Sequence, residues 1–176
     1  MGISLGSSSK KPYVGSKEVQ EAYVGSQLVY RATPPYVYAF LGGQNDYMLA
    51  SWCTLSAKGA TIVKEGTNFR IALSAYYETG TGQSPFGKVT MIMPAGAGSV
   101  LSFMYKMSAG GGSVAYVKFI GSNNQTLQQN EIPVTLSWTL KNLTVPPNTY
   151  KIEIIGGRAG SGNRTTYLDE IRFEET

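Results

Sequence analysis

Few side chains in this sequence can do covalent or acid–base chemistry, and histidine is not among them. Its absence removes the commonest general base and the commonest metal ligand. A single cysteine, Cys53, rules out an intrachain disulfide and a thiolate zinc site. With no histidine to activate it, Cys53 reads as a small buried side chain rather than a nucleophile. No pair of carboxylates at glycosidase-like positions can be argued from the sequence, so no enzyme is expected. What remains is recognition chemistry. A tyrosine ring can stack on the apolar face of a sugar while neighbouring polar groups bond its hydroxyls. The candidates are Tyr76 and Tyr77 with Arg70 and Glu78, Tyr116 with Lys118, and Tyr105. Against each stands the ordinary use of a strand tyrosine as core, with its hydroxyl at the rim. The Tyr76-Tyr77 pair escapes that use in part, because adjacent strand residues face opposite ways.

Asp169 poses a different question. In Tyr167-Leu-Asp169-Glu-Ile171-Arg-Phe173 the alternation places it in the inward register of Tyr167, Ile171 and Phe173. A buried carboxylate must be paired, coordinated or strongly hydrogen-bonded. Backbone N–H donors at a strand crossing are one solution. A structural calcium ion, with further oxygen ligands from a neighbouring loop, is the other.

The elements that must position these residues are short and β-patterned. Runs at 36–41, 51–57, 61–64, 69–77, 87–93, 100–107, 114–120, 134–140, 150–155 and 166–174 are punctuated by Gly, Asn and Pro. None shows sustained helical periodicity. Many short strands with Gly-rich turns predict an all-β sandwich with almost no helix. Large apolar residues fall at every second place in Leu101-Ser-Phe103-Met-Tyr105-Lys-Met107 and in Tyr150-Lys-Ile152-Glu-Ile154, the pattern of half-buried antiparallel strands. Val134, Leu136, Trp138 and Leu140 line up likewise, and Trp52 and Trp138 read as core. Gly80-Thr-Gly82 and Gly110-Gly-Gly112 lack the lysine and helix start of a phosphate cradle and read as turns.

A different organisation precedes residue 36. The phrase Tyr13-Val-Gly-Ser-Lys-Glu-Val-Gln-Glu-Ala22 is followed at once by Tyr23-Val-Gly-Ser-Gln-Leu-Val-Tyr-Arg-Ala32, with six of ten positions identical. Gly-Ser suits a two-residue hairpin turn, so a small meander is expected, with strands near 11–14, 17–24 and 27–31. Such a sheet cannot bury enough apolar surface to stand alone. It therefore reads as an assembly element presenting Tyr13, Val14, Gly15, Tyr23, Val24, Gly25, Val29 and Tyr30. Pro34-Pro35 cannot continue a ladder, so residues 33–35 are a stiff linker between segment 1–32 and a main domain over 36–176.

The 176 residues carry 15 basic and 11 acidic side chains, a net charge of +4 that is scattered rather than clustered. No basic run interleaves with aromatics, so no nucleic-acid partner is expected. The start has no long apolar stretch, so neither a signal peptide nor membrane insertion is expected.

Two resemblances add to this reading. Met1-Gly-Ile-Ser-Leu-Gly6 together with the repeated Tyr-Val-Gly-Ser phrase resembles the N-terminal modules of virion proteins from phages of Gram-positive bacteria. In those proteins such repeats precede an exposed domain. Residues 36–176 resemble the jelly-roll carbohydrate-binding modules attached to bacterial glycosidases. The likeness lies in Val100-Leu-Ser-Phe-Met-Tyr-Lys-Met107, in Leu136-Ser-Trp138 through Leu143-Thr-Val-Pro-Pro-Asn-Thr-Tyr-Lys-Ile152, and in Tyr167-Leu-Asp-Glu-Ile-Arg-Phe173. The resemblance implies a jelly-roll β-sandwich preceded by the hairpin extension, with Asp169 as a calcium ligand and no other cofactor. Together the two imply a non-enzymatic phage structural, decoration or adhesion protein. It would be assembled into the virion in the host cytoplasm, contact other virion proteins through residues 1–32, form a homo-oligomer by analogy a trimer, and expose a sandwich to bacterial surface or environmental glycans. The alternative is a lectin-like binding module of a bacterial polysaccharide-degrading or cell-wall system.

Overall fold

The structure, a computed structural model, describes residues 13–14, 17–18, 21–24, 27–31, 36–74, 86–108, 115–157 and 165–174. The chain divides into two compact units, Met1–Pro35 and Tyr36–Thr176. The first unit holds β1 (Tyr13–Val14), β2 (Lys17–Glu18), β3 (Glu21–Val24) and β4 (Gln27–Arg31). They form two separate hairpins rather than a three-stranded meander: β1 pairs only with β2, and β3 only with β4. Each hairpin pairs the strands that flank one Gly-Ser of the repeat, with β3 beginning at Glu21, two residues before the second copy.

The second unit contains β5 (Tyr36–Gly42), β6 (Tyr47–Leu49), β7 (Cys53–Leu55), β8 (Ala60–Glu65), β9 (Asn68–Ser74) and β10 (Lys88–Ile92). They are followed by β11 (Val100–Met107), β12 (Ala115–Gly121), β13 (Thr126–Ile132), β14 (Thr139–Thr144), β15 (Thr149–Ile155) and β16 (Thr165–Glu174). The described residues include no helix, and none of them forms one long and apolar enough to cross a membrane. All pairings are antiparallel. One sheet has the order β13-β12-β15-β10-β7. The other runs β14-β11-β16-β5-β6, with β9 also paired to β16 and β8 to β9.

Both sheets bury one face and leave the other to solvent, as alternation dictates. From the five-stranded sheet, Val89, Met91, Val117, Phe119, Ile152 and Ile154 point inward. They meet Leu101, Phe103, Tyr105, Met107, Ile171 and Phe173 of the seven-stranded sheet in one core. Cys53 lies in that core, and burial pushes its thiol up to about 12. Trp52 packs at the core's edge, its ring 5.9 Å from that of Phe173.

The long strand β16 is where the fold departs from simple alternation. Its first half pairs with β9 (Leu168 opposite Ile71) and its second half with β5 (Phe173 opposite Val37), both along the same edge. At the changeover Glu170 takes φ 49° and the pairing with β11 slips between Ser102 and Met104, a β-bulge. The extra residue reverses the parity. Thr166 and Leu168 face the core before it, Ile171 and Phe173 after it. Tyr167 is therefore on the outer side, contrary to the strict alternation read from the sequence, and Asp169 sits in the notch where β5 and β9 meet.

Candidate functional site

The notch explains the buried aspartate. Gly42, the last residue of β5, donates its N–H to Asp169 Oδ1 at 2.8 Å. A side chain at Gly42 would collide with the Phe69 carbonyl oxygen, so only glycine lets β5 and β9 close on this point. From β9, the Arg70 guanidinium reaches Asp169 Oδ2 at 2.5 Å, and both side chains are largely buried. Burial pushes the Asp169 carboxyl above its ordinary value, opposed by the Gly42 and Glu170 amides and by Arg70. Of the two solutions left open by the sequence, the backbone donors are present, and a guanidinium stands where a calcium ion was considered. The residues do not fit a calcium site: a cation already occupies the carboxylate. Among the described residues no group of three or more His, Cys, Asp or Glu side chains comes together.

Arg70, expected from the sequence as a sugar contact beside Tyr76 and Tyr77, is placed by the structure against Asp169. Its guanidinium carbon lies 4.9 Å from the centroid of the Trp138 ring. Trp138 is not core either. Residues 134–138 form a loop before β14, Leu136 and Leu140 are exposed, and the half-buried Trp138 ring lies over Arg70 and Lys106. Tyr105 is buried in the core face of β11, which removes it as a stacking platform; burial also raises its hydroxyl pKa. Tyr76, Tyr77 and Glu78 lie outside the described residues, as do Gly15 and Gly25 of the repeat.

Tyr116 stands in a different setting. Along β12, Ala115, Val117 and Phe119 enter the core, so Tyr116 and Lys118 project together from the outer face of the five-stranded sheet. There they line an open groove of about 530 Å³ with Ser56, Phe86, Lys88, Gln129, Glu153 and Ile155. The register assembles it. Tyr116 is opposite Ile155 on one side and Glu131 on the other, and Lys118 is opposite Glu153 and Gln129. On the floor Lys88 Nζ is 2.9 Å from Glu153 Oε1, and Lys151 Nζ is 3.9 Å from the same oxygen. Ser56 Oγ accepts the Lys88 N–H at 2.9 Å and donates to the Lys58 carbonyl at 2.8 Å. Sequence reading singled out Tyr116 and Lys118 but missed Lys88, Glu153 and Gln129, which come from three other strands. The available signal was the outward parity of Lys88 and Glu153 in Lys88-Val-Thr-Met91 and Ile152-Glu-Ile154.

No protein-family model matches this chain, and a search of curated proteins finds no match either. Solved structures do match. A family 29 carbohydrate-binding module from Piromyces equi aligns with a TM-score of 0.53 at 13% identity, over 80% of this chain and 90% of that one. A variant of a family 29 module made to probe ligand recognition gives 0.52 at 16% identity, over 81% and 92%. The K1 cleaved adhesin domain of Lys-gingipain from Porphyromonas gingivalis W83 gives 0.49 at 15% identity, over 78% and 98%. At such identities the likeness is one of fold. The chain is an all-β protein whose two antiparallel sheets form a sandwich resembling the jelly roll of family 29 carbohydrate-binding modules.

Proposed function

We propose that the Tyr36–Thr176 unit is a non-catalytic glycan-binding module and that the groove beside Tyr116 holds the saccharide. One observation carries this reading: an open groove on a sheet face where a half-buried tyrosine is ringed by side chains able to hydrogen-bond. Such a mixture of one aromatic surface and a few placed polar groups suits a pyranose, which has an apolar face and a polar rim. The fold shared with family 29 modules supports it by analogy. Hydrolysis would need two carboxyl groups across a bond. The groove is lined by one, Glu153, which already pairs with Lys88. The test is affinity electrophoresis of the protein through gels containing a panel of plant, fungal and bacterial polysaccharides. At least one polymer should retard it, and Tyr116→Ala should abolish the retardation while leaving the melting temperature unchanged. Retardation that survives Tyr116→Ala overturns the site.

The hairpin unit favours a second, wider reading, in which this module is displayed on a phage virion. Two isolated two-stranded hairpins are marginal in water, so Met1–Pro35 needs a surface to pack on. Repeat-bearing anchors of virion proteins supply the analogy, with neighbouring copies of the chain, three by that analogy, and other virion proteins as partners. Deleting residues 1–35 should convert an oligomer seen by light scattering into a monomer that still unfolds cooperatively. A full-length monomer at micromolar concentration removes the reading.

A further inference from the structure

The groove has an electrical character that narrows the class of glycan, an inference that rests on the groove being the glycan site. Two lysines and one glutamate line it. The charge of the glutamate is already balanced: Glu153 Oε1 faces both Lys88 and Lys151, and its side chain is only 12% exposed. Ser56 is already bonded, accepting from Lys88 and donating to Lys58. Lys118 is different. Its neighbour on β13 is the uncharged Gln129, its neighbour on β15 is the already paired Glu153, and it has no ion-pair partner among the described residues. Glu131, the remaining acid on this face, is aligned with Tyr116 at the edge strand and is not paired with Lys118. The unpaired charge of the groove is therefore the Lys118 ammonium, which can only donate, while the Gln129 amide and the Tyr116 hydroxyl beside it can each donate or accept.

A neutral sugar can satisfy the amide and the hydroxyl, but it brings no counter-charge to the Lys118 ammonium. A ring carboxylate only accepts, and it brings the charge that Lys118 lacks. We propose that the groove recognises an acidic polysaccharide, with Lys118 receiving the carboxylate of a uronate residue whose ring packs against Tyr116.

The experiment compares polygalacturonate with the same polymer fully methyl-esterified, which keeps the backbone and removes the charge, and with a neutral glucomannan. Binding to polygalacturonate should exceed binding to the ester at least about tenfold and weaken as salt rises from about 50 to about 500 mM, where screening shortens the Debye length. Lys118→Gln should lose most of the preference for the acid form over the ester without changing the melting temperature, and Tyr116→Ala should lose binding to both. Glucomannan or ester binding equal to that of the acid, insensitive to salt yet abolished by Tyr116→Ala, overturns the acidic preference and leaves the glycan site standing. Polygalacturonate binding untouched by both Lys118→Gln and Tyr116→Ala shows general attraction to a cationic protein, and it overturns the groove assignment itself.

Discussion

On the outer face of the seven-stranded sheet, three cations each meet both a carboxylate and an aromatic ring. Arg70 has Asp169 and Trp138. Lys106 has Glu65 at 2.5 Å, with Trp138 and Tyr167 beneath it. Arg172 has Glu170 and Glu174, with Tyr36 at 4.9 Å. On the outer face of the five-stranded sheet the same residue types are present, but Lys118 stands beside Tyr116 without a carboxylate of its own. The contrast separates two uses of one chemistry. Where cation, anion and ring are all supplied by the chain, the cluster closes the fold. Where one member is left out, as at Lys118, the proposed function has the ligand supply it.

The largest effect that can break this comparison lies at Arg70. Removing one partner of a buried pair leaves an uncompensated charge, and Arg70→Met should lower the unfolding free energy by about 3–5 kcal/mol near neutral pH. The pH dependence follows from Asp169. Its folded-state pKa is raised by burial, so the stability it contributes is complete below the ordinary aspartate range and is lost as pH rises through the raised value. Without Arg70 one of the influences holding that value down is gone, and the loss on raising pH becomes larger. Urea titrations near neutrality and near about pH 4 should show the gap between variant and parent narrowing in acid. A gap below about 1 kcal/mol near neutrality, the range of an exposed pair, would make the seven-stranded face no more structural than the other.

How much of this was legible beforehand differs between the two faces. Period-two alternation placed Leu101, Phe103, Met107, Ile152 and Ile154 in the core, because those strands run without interruption. It failed in β16, where apolar residues occupy both parities and the bulge at Glu170 leaves no mark in the sequence. It also set a strand over 134–140. The chain there is a loop up to residue 138, and β14 begins at Thr139. Strand β13 went unread because Thr126-Leu-Gln-Gln-Asn-Glu-Ile132 is an edge strand with little apolar content, as edge strands tend to be. For the sites the same logic holds. Tyr116 and Lys118 are two apart on one strand, and a local pattern suffices to put them together. Asp169 and Arg70 belong to distant strands, and only the tertiary pairing of β9 with β16 reveals that the charge expected to need calcium or amides has a guanidinium beside it.

The smallest effects test whether the two faces differ in degree as well as in kind. The ion pairs form a graded series in exposure. Arg70 and Asp169 are the most buried, Lys106 with Glu65 is intermediate, and Lys88 is 42% exposed beside Glu153 at 12%. Solvent screens an exposed partner, so the contribution of such a pair falls to about 0–1 kcal/mol. Lys106→Met should therefore cost more than Lys88→Met, and both should cost less than Arg70→Met. For Lys88→Met there is a further reason to expect little: Lys151 lies 3.9 Å from the same Glu153 oxygen and keeps that carboxylate company when Lys88 is gone. Melting temperatures of the three variants, measured side by side, should fall in that order. If Lys88→Met proves as damaging as Arg70→Met, the floor of the groove is itself a structural pair, and the free Lys118 loses its status as the feature that sets this face apart.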